Sequence, residues 1–407
     1  MFESIYTGKT GLLAFSKGLD VLSNNIANLN TPGFKSAELA FRDLFLRYTT
    51  TGGGNEETPM QIGSGVDTPA TTLRFRQGEL RETGNALDAA IDGNGFFVLR
   101  DEGKYTYTRA GQFEFDADGN LVERTSGFHL MGLQGTGLVD IKLDGRRSNA
   151  PKATSEVIFN GYLVQSTGSQ VLQNVAVYDT HGAVHQLTLN FTRDINVTNG
   201  SAWTVEVREP SVNATQVIAS GVIRFEGNGA PTQGANTMSF TYSPGNGVPT
   251  SNIIFNFGEP GSFSGVVSYA SGGADLKVAV VSQDGYAAGS LTKTTMDEQG
   301  YLKFTYSNGQ TVAGERLALA WFQDLQNLTV EGSGMFQNNG DEKPVIQGAG
   351  DDIMGKIVAG KIELSNVDLT EQFTDMVIIQ RGYQASSQVT SVANEMIQQL
   401  LEINRRG

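Results

Sequence analysis

At 407 residues, with a formal charge of -14 and no cysteine, the chain is long enough for two or three domains with substantial cores and excludes disulfides and thiolate metal sites. The acidic balance argues against a nucleic-acid partner, because neutralising phosphates requires Lys and Arg. No apolar run approaches a membrane span, and Met1-Phe2-Glu3-Ser4 lacks the basic start of a cleaved signal peptide.

The first element is a helix. Ile5, Gly8, Leu12, Phe15, Leu19, Leu22, Ile26 and Leu29 fall at alternating steps of three and four, the seam of a helix that packs on another helix. Such a helix is unstable alone, since nucleation is costly and each apolar position contributes roughly 1.5–3 kcal/mol only when buried. The seam therefore needs a partner, and Gly8 permits close approach. Pro32 disfavours helix at Thr31, and the asparagines with Gly33 tolerate a left-handed cap, so the helix is expected to end close to Asn30.

After Lys35 the stretch Thr49–Pro59 is rich in glycine and threonine and predicts an irregular, flexible connector. From about Leu73 the pattern turns to short alternating strands, with Asp118-Gly119-Asn120 as a hairpin turn. Tyr301–Tyr306 and Leu317–Phe322 are expected to complete the same domain, which makes the residues between an insert. The insert alternates as well: Val171–Tyr178 and Leu187–Phe191 predict a hairpin turning at Asp179–Gly182.

The last element is again a helix. Met376, Ile379, Tyr383, Ser386, Thr390, Ala393, Ile397 and Leu400 repeat the first spacing, and Asp368 with Glu371 predicts a capping box at its start. Two stripes at opposite ends suggest that the ends meet, within one chain or between copies. The fold class is then mixed and mainly β: two terminal helices form a coiled-coil-like core domain beside two β-rich domains, the second inserted in the first. Residues 1–47 hold 4 acids and 5 bases and residues 365–407 hold 5 and 3, so the ends sum to -1 and the middle carries -13. That distribution suits buried ends and a solvated middle.

Several apparent active sites fail on their residues. Asp116, Asp118 and Asn120 imitate a calcium loop, but Gly127 stands where the bidentate Glu belongs. Gly93-Asn94-Gly95 lacks the third glycine and following helix of a dinucleotide fingerprint. His181 and His185 have metal spacing only on a helix, and a hairpin is expected there. No nucleophile elbow accompanies the serines. Neither catalysis, nor a cofactor, nor a metal is expected.

Asn24-Asn25-Ile26-Ala27-Asn28, followed by Thr31, Pro32, Gly33, Phe34 and Lys35, resembles the N-terminal signature of the bacterial flagellar axial family, the rod and hook proteins. The resemblance recurs in Ala86–Leu99, Tyr107–Phe113, Asp284–Leu291, Ser365–Leu369 and Gln380–Ala385, leaving only about residues 146–283 with little family signature. It implies a self-assembling structural subunit, exported through the flagellar type III apparatus without a cleaved signal peptide. The implied organisation is a terminal helical assembly domain (1–35 and 365–407), a connector (36–72), an inner β domain (73–145 and 284–364) and an outer insert (146–283). The large insert favours the hook members, whose curved tube joins rod to filament; the implied partners are further copies, the distal rod protein, the hook–filament junction protein and the hook cap. Gln61–Val66 after the glycine-rich connector looks like a distal rod linker, which keeps a rod protein as the nearer rival. A secreted adhesin or glycan-binding module, using aromatics such as Trp321-Phe322, is the rival of another class.

Overall fold

The computed structural model describes residues 2–44, 46–51, 58–63, 65–135, 137–210, 214–245, 247–270 and 277–406. They form two compact units, one of residues 1–144, 294–304 and 312–407, the other of residues 145–293 and 305–311. The fold is mainly β with a helix at each end, α1 (Phe2–Ala27) and α2 (Leu369–Arg406).

In the first unit the two helices lie antiparallel, and a β sheet supplies the core. Phe96–Asp101 and Lys104–Thr108 form a hairpin through Glu102 and Gly103, both at positive φ. Met335–Asn338 extends it on one side, and His129–Gln134 and Thr311–Trp321 pair with Phe96–Asp101 on the other. Neighbouring residues on a strand face opposite ways. Phe96 therefore joins Tyr107, Phe322 and Phe336 in one cluster, while Phe97 meets Phe113 with ring centroids 5.0 Å apart. Phe322 is thus core rather than surface, unlike the exposed aromatic pair a glycan-binding module would need.

Where an irregular connector is expected at 36–72, the structure differs. Ala37–Leu39 pairs with Thr71–Leu73, Arg42–Asp43 with Val66–Asp67 and Leu46–Thr51 with Thr58–Gly63, three nested antiparallel ladders of one long hairpin. The β-branched threonines that read as connector are good strand formers once a partner strand is supplied. Residues 52–57 of the expected hinge lie outside the described residues.

The second unit is a β sandwich. Ser169–Tyr178, Val184–Asp194, Ser201–Glu209 and Ala214–Phe225 form a four-stranded antiparallel meander, and the expected hairpin turn is closed by the Gly182 amide donating to the Asp179 carbonyl at 3.0 Å. The facing sheet is mixed, with Glu156–Val164 parallel to Ser251–Asn256 and Val266–Tyr269. Both sheets feed one core that includes Trp203, Phe159, Phe191, Phe255 and Phe257. Residues 284–293 and 305–311, expected with the inner domain, belong to this unit. One cause is visible at Asp284, whose carboxylate accepts from the Ser155 amide (2.8 Å), the Ser155 hydroxyl and the Glu156 amide (2.9 Å), tying the exit strand to the entry strand.

Candidate assembly site

The helix termini follow local chemistry. α1 stops at Ala27, three residues before the expected end, because Asn28 turns its side chain back onto the Asn24 carbonyl (2.9 Å) and receives the Thr31 hydroxyl (3.1 Å). Gly33 then adopts φ +70°, where an added Cβ would stand 2.5 Å from the Ala110 amide nitrogen, so only glycine fits. At the other end Asp368 caps α2, accepting from the amides of Thr370 (2.8 Å) and Glu371 (3.3 Å). The Glu371 carboxylate of the expected box pairs instead with Arg74 at 2.7 Å.

The seam between the helices runs through small residues. An added Cβ at Gly8 would stand 2.4 Å from Thr390 Oγ1, at Gly11 2.8 Å from Ser386 Oγ, at Gly18 2.8 Å from Ile379 Cδ1, and at Gly382 2.4 Å from the Phe15 ring. Successive contacts step down α1 as they step up α2, ending where Asn25 donates to Gln372 at 2.9 Å. Leu22 and Ala393 are buried in this line. Ile5, Leu12, Phe15, Leu19, Ile26, Leu29, Met376, Ile379 and Ile397 are half-buried along its flanks. Tyr383 and Leu400 lie outside it, exposed on α2: Gly382 takes the place opposite Phe15 beside Tyr383, and Leu400 lies beyond the start of α1 in the antiparallel register. Glycines 8, 11 and 18 at spacings of three and seven are the sequence signal for this closer approach.

The family-motif residues bind the helices to the β structure. Asn25 donates to the Ala37 carbonyl (2.8 Å) and accepts from the Ala37 amide (3.0 Å). The Gly33 amide donates to the Glu363 carbonyl at 2.8 Å. Asn366 accepts from the Ser36 amide (2.8 Å) and donates to the carbonyls of Arg74 (2.6 Å) and Arg76 (2.9 Å). Asn24 and Asn28 shape the turn, Thr31 closes it, and Pro32 and Phe34 lead out of it, Pro32 half-buried.

Behind this turn sits a buried charge cluster that residue spacing does not reveal. Glu363, fully buried, accepts from Lys35 Nζ (2.5 Å) and the Gly78 amide (2.8 Å) through one oxygen and from Arg109 (3.2 Å) through the other. Lys35 also donates to the Arg76 carbonyl at 2.9 Å, and Arg109 lies over the Phe96 ring, 5.1 Å from its centroid. Burial lowers the pKa of both cations, against the pull of Glu363. Lys35 follows α1, Arg109 follows a sheet strand and Glu363 precedes α2, so the cluster clasps both chain ends to the β framework. Nothing in it resembles a nucleophile with its base.

Beside and behind the line that meets α1, α2 is open. Phe373, Val377, Ile378, Val389, Met396 and Leu401 are between 43% and 61% exposed. An isolated apolar residue on a surface is ordinary, but a helix that exposes large side chains along its whole length needs a partner. No helix of the described residues is long and apolar enough to cross a membrane.

Comparison with known proteins gives four family domains in chain order. Residues 5–35 match "Flagella basal body rod protein", 90–158 "Flagellar hook protein FlgE/F/G D1 domain", 162–286 "Flagellar basal body protein FlaE D2 domain" and 358–403 "Flagellar basal body rod FlgEFG protein C-terminal". The flagellar hook protein FlgE of Borreliella burgdorferi is 29% identical across 99% of this chain and 100% of its own length. That of Salmonella typhimurium is 27% identical across 97% and 98%, and that of Escherichia coli 28% across the same shares. Among solved structures, the hook protein FlgE2 of Helicobacter pylori aligns with a TM-score of 0.48 at 12% identity, over 68% of this chain and 98% of that one.

Proposed function

The chain belongs to the bacterial flagellar rod and hook family, and from that premise we infer how it works as the structural subunit of a flagellar hook. The four domain matches and the end-to-end similarity to hook proteins carry the hook assignment, because the match over 162–286 covers the insert that a short rod protein would lack. In this reading the terminal segments 1–35 and 365–407 build the wall of the tube, 36–72 links them outward, 73–144 with 294–304 and 312–364 forms the inner β domain, and 145–293 with 305–311 faces outward.

The single observation that most supports assembly through the ends is the unpartnered apolar surface of α2. The clasp at Glu363 supports a rigid joint between helices and sheet, so that torque applied to one reaches the other. Outer domains that slide while the helical ends hold would let the tube rotate around a bend. The further partners in this reading are the distal rod protein, the hook–filament junction protein and the hook cap. Export proceeds through the flagellar type III apparatus with no cleaved signal, and the subunit acts by assembly, with no catalytic step.

Sedimentation tests the reading. The full chain should form pelletable tubes, and a variant ending at residue 368 should remain in the supernatant with its β circular dichroism retained. Tubes formed by the truncated variant would overturn assembly through the ends.

A further inference from the structure

Asparagine followed by glycine is a reactive step, because glycine has no side chain to shield its amide nitrogen from the carbonyl carbon of the asparagine side chain. The chain has seven such steps, at Asn94, Asn160, Asn199, Asn228, Asn246, Asn308 and Asn339. Asn246 lies outside the described residues. The other six look alike in the sequence, and the fold separates them.

Five are held. The glycine amides after Asn228 and Asn308 donate to the carbonyls of Glu226 and Tyr306, both at 2.9 Å, and the amide after Asn339 donates to Asn338 Oδ1 at 3.0 Å. Their side chains are bound too: Asn228 accepts from the Ala230 amide (2.9 Å), Asn308 donates to the Ala287 carbonyl (2.8 Å) and Asn339 to the Thr329 hydroxyl (3.0 Å). Asn160 and Gly161 lie within a strand, paired with Ala279 and Val266. The Asn94 carbonyl accepts from the Gly355 amide (2.7 Å), while Gly93 donates to Gln77 (3.1 Å) and accepts from Arg109 (2.9 Å), and Gly95 is buried.

Asn199 is the exception. It is exposed in the hairpin loop between Val184–Asp194 and Ser201–Glu209. Neither its side chain nor the Gly200 amide has a hydrogen-bond partner among the described residues, and Gly200 stands at φ +81°. A surface loop leaves the backbone the freedom that ring closure requires.

We propose that Asn199 is a site of spontaneous covalent modification, converted to aspartate and isoaspartate by the chain's own Gly200 amide nitrogen. Solvent base removes the Gly200 amide proton and the nitrogen bonds to Asn199 Cγ. The bond from Cγ to the side-chain nitrogen then breaks, and that nitrogen takes a proton from water and leaves as ammonia. The resulting succinimide adds one water: opening at the side-chain carbonyl gives aspartate, and opening at the main-chain carbonyl gives isoaspartate. The balance is asparagine and water to acid and ammonia, with no oxidant or reductant. Either product adds a negative charge beside Asp194, and isoaspartate also lengthens the backbone by one carbon.

Mass spectrometry tests the assignment. The full chain is held for days in mildly alkaline buffer made with heavy-oxygen water, whose label marks acid formed during the incubation, and is then digested and mapped. Asn199 should convert several-fold faster than any of the five held steps. Asn199→Gln should abolish that conversion and leave the urea midpoint reported by Trp203 unchanged. In concentrated guanidinium chloride, where the fold protects nothing, the held steps should rise to the rate of Asn199. A held step that converts as fast as Asn199 in the folded chain, or an Asn199 that stays intact there, would overturn the proposal. So would a lead for Asn199 that persists undiminished in guanidinium chloride, since it would come from the neighbouring sequence and not from the fold.

Discussion

Glu363→Gln should be the most damaging conservative substitution in the first unit. The buried cluster holds two cations and one anion, a net charge of +1, with side-chain exposures of 0% for Lys35 and Glu363 and 7% for Arg109. Removing the anion leaves two uncompensated positive charges in a buried site, and breaking a buried pair from one side costs about 3–5 kcal/mol. Lys35→Met has the opposite sign of charge effect, because it leaves Glu363 and Arg109 balanced. It loses the bonds to Glu363 and to the Arg76 carbonyl, a cost of roughly 1–2 kcal/mol. The chain has two tryptophans, Trp203 in the second unit and Trp321 in the first, so Trp203→Phe leaves one that reports on the unit in question. In urea, at about 2 kcal/mol per M, Glu363→Gln should lower the Trp321 midpoint by roughly 1.5–2.5 M and Lys35→Met by less than about 1 M. A larger shift for Lys35→Met than for Glu363→Gln would refute the charge argument.

Other substitutions probe the remaining contacts. Leu22→Asp places a charge in the buried seam and should abolish sedimentable polymer while the β circular dichroism persists; normal tubes would count against a helical core. Gly382→Val drives a side chain into the Phe15 ring and, at about 1–3 kcal/mol for overpacking, should lower the helical signal on mild heating, an effect absent if the helices separate freely. His185 bridges Glu209 (2.8 Å) and Asp179 (3.1 Å); burial lowers its pKa, but the bonds to the two carboxylates outweigh that and raise it. The stability it supplies is complete below the ordinary value of about 6.5 and is lost as pH rises through the higher folded value. The Trp203 midpoint should therefore fall as pH is raised from about 6 to about 9, and His185→Gln should flatten that slope; an unchanged slope would remove His185 as its source.

Both helices are legible in the sequence because apolar residues at sustained steps of three and four fit a helix packed on a helix and little else, and Asp368 and Pro32 mark their edges. The seam itself is legible only in part. Large apolar residues such as Leu12 and Leu19 dominate the pattern, yet the closest approach runs through Gly8, Gly11 and Gly18, whose lack of a side chain gives no hydrophobic signal. The hairpin across 37–73 reads as a connector, since its threonines form strands only through partners up to 36 positions away, as Ala37 with Leu73. The Lys35–Arg109–Glu363 clasp is invisible for a similar reason. Its members lie 254 and 328 positions apart in pairing, and a single charged residue in a strand carries no mark of the partner that will bury with it.

The central claim, that this chain is the wall of a hook, is tested most directly by electron microscopy of purified basal bodies from cells whose copy carries a gold-binding tag after Ile195, which is 81% exposed in the second unit. Gold should decorate the outside of the curved segment beyond the cell envelope along its full length. Gold confined to the straight axis within the rings would make the chain a rod protein, and a fully accessible tag that never appears on the flagellum would contradict the axial role altogether.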